Sequence, residues 1–296
     1  MKAIIKLVLL MCLIGLFIWS CTDDQLTNDE MTDEEALNLL ITDNQSYFET
    51  EDHYGEEDTT EVQTEFRDPL NTFFWFRNLQ SASITINISI DGDSAFVVFS
   101  GDYEGILNLY ASQDTIELHT KNFVEHSIRN AIFKRLEDAE TDPLKRRGWR
   151  LTEVSGAETG PGDQTVRIDS VRLNCDSYPD TIFTNPLELF SIEDLITLYP
   201  QERCSLTVYT NFDENVEHDF VFLHSWRRFI QHFRARFDFV EDGVYSGVWY
   251  APANTANALN TVHHAAFDII NNETLLDDEI PYNSNAWTLP YKVSTE

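Results

Sequence analysis

Basic side chains are scarce in this sequence: 20 Lys and Arg stand against 51 Asp and Glu, a formal net charge of −31. That surplus repels nucleic-acid phosphates, so nucleic acid is not expected as a partner. The local cluster of Lys145, Arg146, Arg147 and Arg150 does not reverse it. Cysteine is also rare, with four in 296 residues. The apolar run that stands out, Leu7 to Trp19, has only 13 residues. As a helix it would reach about 20 Å, short of the roughly 30 Å of hydrocarbon a permanent span must cross.

Catalytic signatures are missing as well. The chain carries no H-E-x-x-H, no C-x-x-C, no G-x-S-x-G, no P-loop and no G-x-G-x-x-G. Asp91-Gly92-Asp93 lacks the twelve-residue loop and closing Glu of a calcium site and reads as a turn. His263 and His264 are adjacent, so on a strand they point to opposite faces. His218, His224 and His232 lie near acidic residues and could form a zinc site, but surface or packing histidines are the simpler reading. No catalytic residue, metal ligand or cofactor is nominated. An enzyme is the less favoured expectation.

What is present suffices for a large core. Hydrophobic residues make up 42% and aromatics 12%, enough to exclude global disorder, and the length fits one large domain or two ordinary ones. The acid is unevenly placed, with 16 acidic residues and no Lys or Arg between Thr22 and Phe66. That stretch reads as a solvated, self-repelling tether rather than a cation site.

At the N-terminus, Lys2 and Lys6 precede the apolar run and Ser20-Cys21 follows it. Basic start, short apolar run and small residue is the order of a secretory signal peptide. The segment Ile18-Trp19-Ser20-Cys21 resembles the lipobox of bacterial lipoproteins, with Trp19 departing from the small residue usual there. The resemblance implies cleavage before Cys21, acylation of its thiol and attachment to a membrane through lipid, where more than one acyl chain is needed for stable anchoring. An uncleaved signal anchor and a soluble secreted protein cut elsewhere are the other readings of the segment. Thr22 after the cysteine favours the outer membrane, and Thr22-Asp23-Asp24 resembles the surface-export signal of some Bacteroidetes lipoproteins. Cys175 and Cys204 then remain as one possible disulfide in an oxidising compartment, or as two free buried thiols.

Residues 1–20 are thus expected to be a signal peptide and 21–31 a lipidated tether. Leu37, Leu40 and Ile41 behind Asp33-Glu34-Glu35 predict one short helix. Phe73 to Phe76 form an aromatic block, either helix or strand. Ile84, Ile86, Ile88 and Ile90 alternate with polar residues into Asp91-Gly92, the cleanest strand and turn in the chain. Ala95–Phe99, Ile106–Tyr110 and Thr115–His119 continue a meander. Between 123 and 136 the signals conflict. Val124, Ile128, Ile132 and Leu136 repeat every four residues as in a helix, while Arg129-x-Ala131-x-Phe133 reads as a strand. The order helix, meander, Arg129-x-Ala131-x-Phe133 and Gly148-Trp149-Arg150-Leu151 resembles NTF2-like (cystatin-type) domains over residues 32–174. It implies a curved sheet wrapped round a helix, with a cone pocket lined by residues such as Trp75 and Phe76.

Residues 175–296 read as mostly β, with a hairpin at Asp242-Gly243, a helix over Leu187–Leu198, and Pro290 restricting the last strand to an edge. Their strand spacing resembles an immunoglobulin-like sandwich. The expectation is therefore an α+β protein: an NTF2-like domain followed by a β-sandwich. Its expected role is that of a lipid-anchored envelope or surface protein with a non-catalytic binding or assembly function, toward a protein or glycan partner. A small-molecule-binding or enzymatic domain, and a nutrient-capture partner of an outer-membrane transporter, are the alternatives.

Overall fold

The structure is a computed structural model that describes residues 31–48, 72–112, 116–136, 143–211, 219–228, 231–253, 262–277 and 279–294. The expected signal peptide, Cys21 and nearly all of the expected tether lie outside the described residues. Among them 64% are strand and 11% helix. The α+β expectation is therefore overturned, and with it the NTF2-like cone: the fold is mostly β. Asp33 to Glu296 form one compact unit.

The first half is an antiparallel meander of very long strands: β1 (Thr72–Asp91), β2 (Ser94–Ser112), β3 (Ile116–Arg135) and β4 (Trp149–Gly160). The aromatic block joins the isoleucine run in β1, and Gly101 does not break β2. Residues 123–135 are strand, not helix. Val124, Ile128 and Ile132 repeat every four because four is twice the strand period, so all three lie on one face. The other face carries the buried Phe123, Ala131 and Phe133.

The second half contributes β5 (Ile168–Asn174), β6 (Thr181–Phe183), β7 (Leu189–Ser191), β8 (Ile196–Leu198), β9 (Arg203–Thr210), β10 (Phe220–Arg228), β11 (Gln231–Arg236), β12 (Asp238–Glu241), β13 (Val244–Tyr250), β14 (Val262–Ile270) and β15 (Ser284–Val293). The helix expected over Leu187–Leu198 is instead the two short strands β7 and β8. A ten-stranded sheet runs β1-β2-β3-β4-β15-β14-β10-β11, with β7 on β4 and β8 on β15; a second sheet runs β12-β13-β9-β5-β6. Hydrogen-bonded strands thus cross the sequence boundary at 174/175, through β15 on β4 and β5 on β9.

The two sheets face each other over the C-terminal strands. Val221, Leu223, Phe267, Ile269, Trp287, Leu289 and Tyr291 pack there against Val171, Leu173, Leu206, Val208 and Trp249. Pro290 stands in a central strand, contrary to the edge expectation. It falls between the stretch of β15 that pairs with β4 (Ala286, Trp287) and the stretch that pairs with β8 (Tyr291 to Val293), a gap that tolerates its missing N–H.

The larger sheet curls. In strand order β1 and β14 are far apart, yet Arg77 of β1 bonds Asp268 of β14, and Trp75 packs edge-on against Phe222 of β10 at 5.5 Å. Only a sheet bent round on itself brings these strands face to face. The bend has identifiable devices. β1 is irregular between Leu79 and Ser81, opposite Gly105, where a Cβ would lie 2.4 Å from the Asn78 carbonyl. A bulge beside a glycine tightens twist and turns a strand. It also switches the parity of β1, so that Trp75 and Arg77 at odd positions share the concave face with Ile84 and Ile86 at even ones.

Gly156 marks the tightest backbone approach. A Cβ there would lie 1.8 Å from the Thr288 carbonyl of β15. Gly156→Ala is expected to cost about 1–3 kcal/mol through forced separation of β4 and β15, read as a lower urea midpoint at unchanged slope. A midpoint equal to wild type would contradict this packing.

Candidate functional site

Helix α1 (Asp33–Asp43) lies over the concave face. Its apolar Ala36, Leu37 and Ile41 are buried beneath it. Its ends are tied by charge. Asp33 accepts from Arg147 Nε at 2.7 Å, Trp149 Nε1 at 3.1 Å and Arg135, and Asp43 pairs with Arg146 at 2.8 Å. Burial would push the Asp33 carboxyl up, but these donors reverse it and hold it below its ordinary value. Two members of the basic cluster thus dock a helix.

The chain continues as a 3-10 turn, Gln45–Tyr47, whose carbonyls face the sheet floor: Tyr47 O accepts from Arg129 Nη1 at 3.1 Å, and Ser46 O faces His264 Nε2 at 3.3 Å. Phe48 then stacks on Phe99 at 4.4 Å. Burial and the neighbouring Arg129 charge push His264 well below its ordinary pKa, so it is neutral at pH 7.

Between this roof and the sheet is an open cleft of about 410 Å³. Ile41 and Phe48 line it from above, Ile84, Ile86, Phe99 and Tyr103 from the sheet, and Ser127 and Arg129 from strand β3. The size falls in the usual range for small-ligand pockets. Arg129 is 3% exposed and also donates to Thr288 Oγ1 at 3.4 Å. These two bonds fix the guanidinium in the cleft wall.

Deeper inside the curl lies a buried polar cluster. Arg77 donates to both oxygens of Asp268, at 2.6 and 2.9 Å, and to Tyr282 Oη at 2.6 Å. Tyr282 donates to Glu125, which Ser284 Oγ also reaches at 2.9 Å. His224 Nε2 lies 3.2 Å from Asp268 Oδ2. Burial alone would raise the Asp268 pKa; the Arg77 charge and the hydrogen bonds from His224 and Arg77 overcome it and hold the carboxyl well below its ordinary value. Burial pushes Tyr282 well above 10, against the pull of Arg77 and with a push from Glu125. Arg77 and Asp268 are therefore charged and Tyr282 neutral at pH 7, an arrangement suited to holding the curl shut.

Trp75 and Phe76 do not line one pocket, because consecutive strand residues point to opposite faces: Trp75 is buried between Phe222 and Arg234, while Phe76 stacks with Tyr110 at 6.2 Å. Neither lines the cleft. Cys175 and Cys204 form a disulfide with a Cα–Cα separation of 4.5 Å. Glu202 beside them accepts from Ser177 and from the Tyr199 amide, and sulfurs already bonded to each other are not thiolate ligands. His224 is engaged with Asp268; His218 and the side chain of His232 lie outside the described residues. His263 packs on Tyr291 at 5.4 Å while His264 faces α1's side of the sheet.

The cluster has no local signature, since Arg77 and Asp268 lie 191 residues apart along the chain. Two signals mark them in hindsight: Arg77 follows the Phe-Trp-Phe run, and Asp268 is the one acid in the apolar stretch Val262–Ile270. No helix among the described residues is long and apolar enough to cross a membrane. Compared with models of protein families and with curated proteins, the chain matches none.

Proposed function

We propose that this chain is a lipid-anchored protein of the bacterial envelope, at the outer membrane or cell surface, whose β-rich body binds a partner rather than catalysing a reaction. Supporting the anchor are the basic start, the 13-residue apolar run and Cys21 directly after Ser20. A disulfide between Cys175 and Cys204 fits an oxidising compartment.

The observation that carries binding is the cleft under α1, an apolar chamber with one guanidinium in its wall. On the concave face, Glu125, Asp268 and His224 are engaged with Arg77 and Tyr282, and His264 is held against Ser46 O. A binding surface asks for shape and a few fixed polar groups, and that is what the cleft supplies.

Metabolic labelling with an alkyne-tagged fatty acid tests the anchor. Wild type is expected to take up label and sediment with membranes, and Cys21→Ala is expected to lose both. Equal labelling of the two, or none of wild type, would refute it.

A further inference from the structure

We propose that the outer edge of β1, from Ala82 to Ile90, pairs antiparallel with the same strand of a second copy of this chain, joining two ten-stranded sheets into one. This goes beyond the cleft and holds whether or not Cys21 is acylated.

β1 ends the larger sheet, and among the described residues no strand pairs on its outer side. Before the bulge that side is closed, since Arg234 of β11 donates to the Trp75 carbonyl at 3.0 Å. Beyond it the strand is open: every residue from Asn78 to Ile90 except the half-buried Ile88 is exposed. The hairpin turn holds two residues, Gly92 and Asp93. Its closing pair, Asp91 and Ser94, therefore exchanges both backbone bonds, and the ladder to β2 continues through the odd positions. Ala82, Ile84, Ile86, Ile88 and Ile90 turn their N–H and C=O groups to the open side.

Proteins ordinarily guard such an edge with charge, proline or brevity. The other three ends of the two sheet paths obey. β6 has three residues, β12 is the short run Asp238–Glu241 with an acid at each end, and β11 has six residues including Arg234 and Arg236. β1 has none of these devices. Between Arg77 and Asp91 it holds no charge, no proline and no glycine, in a chain of net charge −31.

The occupant this strip fits is itself. It offers a charged strand nothing to recognise, and the second copy brings an equally neutral one. A twofold antiparallel pairing puts both isoleucine rows on one face, whereas a twofold parallel pairing would put them on opposite faces. With Asn87 opposite Asn87 on the axis, Ile86 meets Ile88 and Ile84 meets Ile90 of the second copy, while Thr85 meets Ser89 on the reverse face. These pairs cover Ile84, Ile86 and Ile90, now 64%, 39% and 40% exposed. An edge paired with itself leaves none open, so assembly stops at two.

The charge of each copy opposes approach at long range, while the strip itself is neutral. Salt raised to about 0.15 M should therefore increase the dimer fraction. Capture of a basic foreign strand would weaken instead.

The purified full chain in detergent is expected to show twice the chain mass by light scattering at micromolar concentration, detergent excluded. Ile84→Pro is expected to make it a monomer, because the ring removes an outward N–H and spares the ladder to β2. Should Ile84→Pro fail to fold, Ile84→Lys at the same exposed position is expected to do so by charge. Asn87→Cys should give a covalent dimer on mild oxidation, since a non-hydrogen-bonded pair brings Cα atoms to about 4.5 Å. Wild type and Thr85→Cys, which faces Ser89, should not. A monomeric wild type, a dimer that both substitutions of Ile84 leave intact, a mass that climbs past two copies, or no covalent dimer from Asn87→Cys would each overturn the pairing. A monomer carrying a foreign protein that Ile84→Pro releases would give the edge to that protein's strand and overturn self-association likewise.

Discussion

Replacing Asp268 by alanine is expected to remove about 3–5 kcal/mol of stability, the usual cost of leaving one partner of a buried ion pair behind. Arg77 and Asp268 are both fully buried, and their paired hydrogen bonds join β1 to β14 across the interior of the curled sheet. Without the Asp268 carboxylate, the Arg77 charge remains in a dry interior between the rings of Trp75, at 5.0 Å, and Tyr282, at 5.6 Å, with the Glu125 carboxylate at 3.9 Å as its counter-charge. The triple substitution Arg77→Met, Asp268→Leu and Glu125→Gln is expected to recover part of the loss, because it removes the buried charges of the cluster together and nearly keeps volume. Urea unfolding followed by tryptophan fluorescence measures both. If Asp268→Ala unfolds at the wild-type midpoint, the curl is not closed by this pair.

The same pair sets a pH dependence. The Asp268 carboxyl is held well below its ordinary value of 3.8 in the folded protein. The unfolded chain therefore takes up that proton first as pH falls, and the stability contributed is fully present above about pH 4 and lost below it. Asp268→Asn is expected to flatten the acid limb of the stability curve, while lowering the plateau at neutral pH.

Loss of the Cys175–Cys204 disulfide carries the second large effect. The loop it closes spans 29 positions, which predicts roughly 3.5 kcal/mol from restricted unfolded-state freedom. Its placement gives the bond a job in the native fold too. Cys175 directly follows β5 and Cys204 lies in the adjoining β9, but the chain between them, after pairing β6 with β5, leaves the small sheet, adds β7 to β4 and β8 to β15 in the large one, and returns. The bond therefore closes the base of an excursion that stitches the two sheets together. Cys175→Ala with Cys204→Ala is expected to lower the melting temperature by roughly 7–14 °C at about 2–4 °C per kcal/mol. Amide exchange should quicken first in β7 and β8. A melting temperature within a degree of wild type, with reductant equally without effect, would contradict this role.

Local patterns in the sequence located most strands but misjudged what they face. Ile84 to Ile90 alternate as cleanly as any core strand, yet three of the four are exposed, because β1 is an edge and Ile84 and Ile86 line an open cleft. Alternation reports a face, not what covers it. The helical stripe at Val124, Ile128 and Ile132 failed for a related reason, since a four-residue repeat belongs to both periods and only the length of the paired neighbours chose between them. β7 and β8 were unreadable as strands because three residues hold little periodicity, and both exist only by addition to the edges of longer strands.

The candidate site was less legible still. Arg129 was visible only as one member of an alternating run, and nothing near it in sequence points to the turn at Gln45–Tyr47 whose carbonyl fixes it. Arg77, Glu125, Asp268 and Tyr282 meet only because the sheet bends at Leu79, Ser81 and Gly105. A bulge is one extra residue, and one residue leaves almost no trace in a pattern of alternation. The basic cluster illustrates the reverse case: legible as charge, its Arg146 and Arg147 turn out to hold α1 by Asp43 and Asp33.

An intact-mass measurement on the protein drawn from its own envelope bears most directly on the proposed role. The account predicts a polypeptide that starts at Cys21 and carries the added mass of two or three acyl chains on that residue. A mass that includes Met1, or a chain starting at Cys21 with an unmodified thiol, would contradict it.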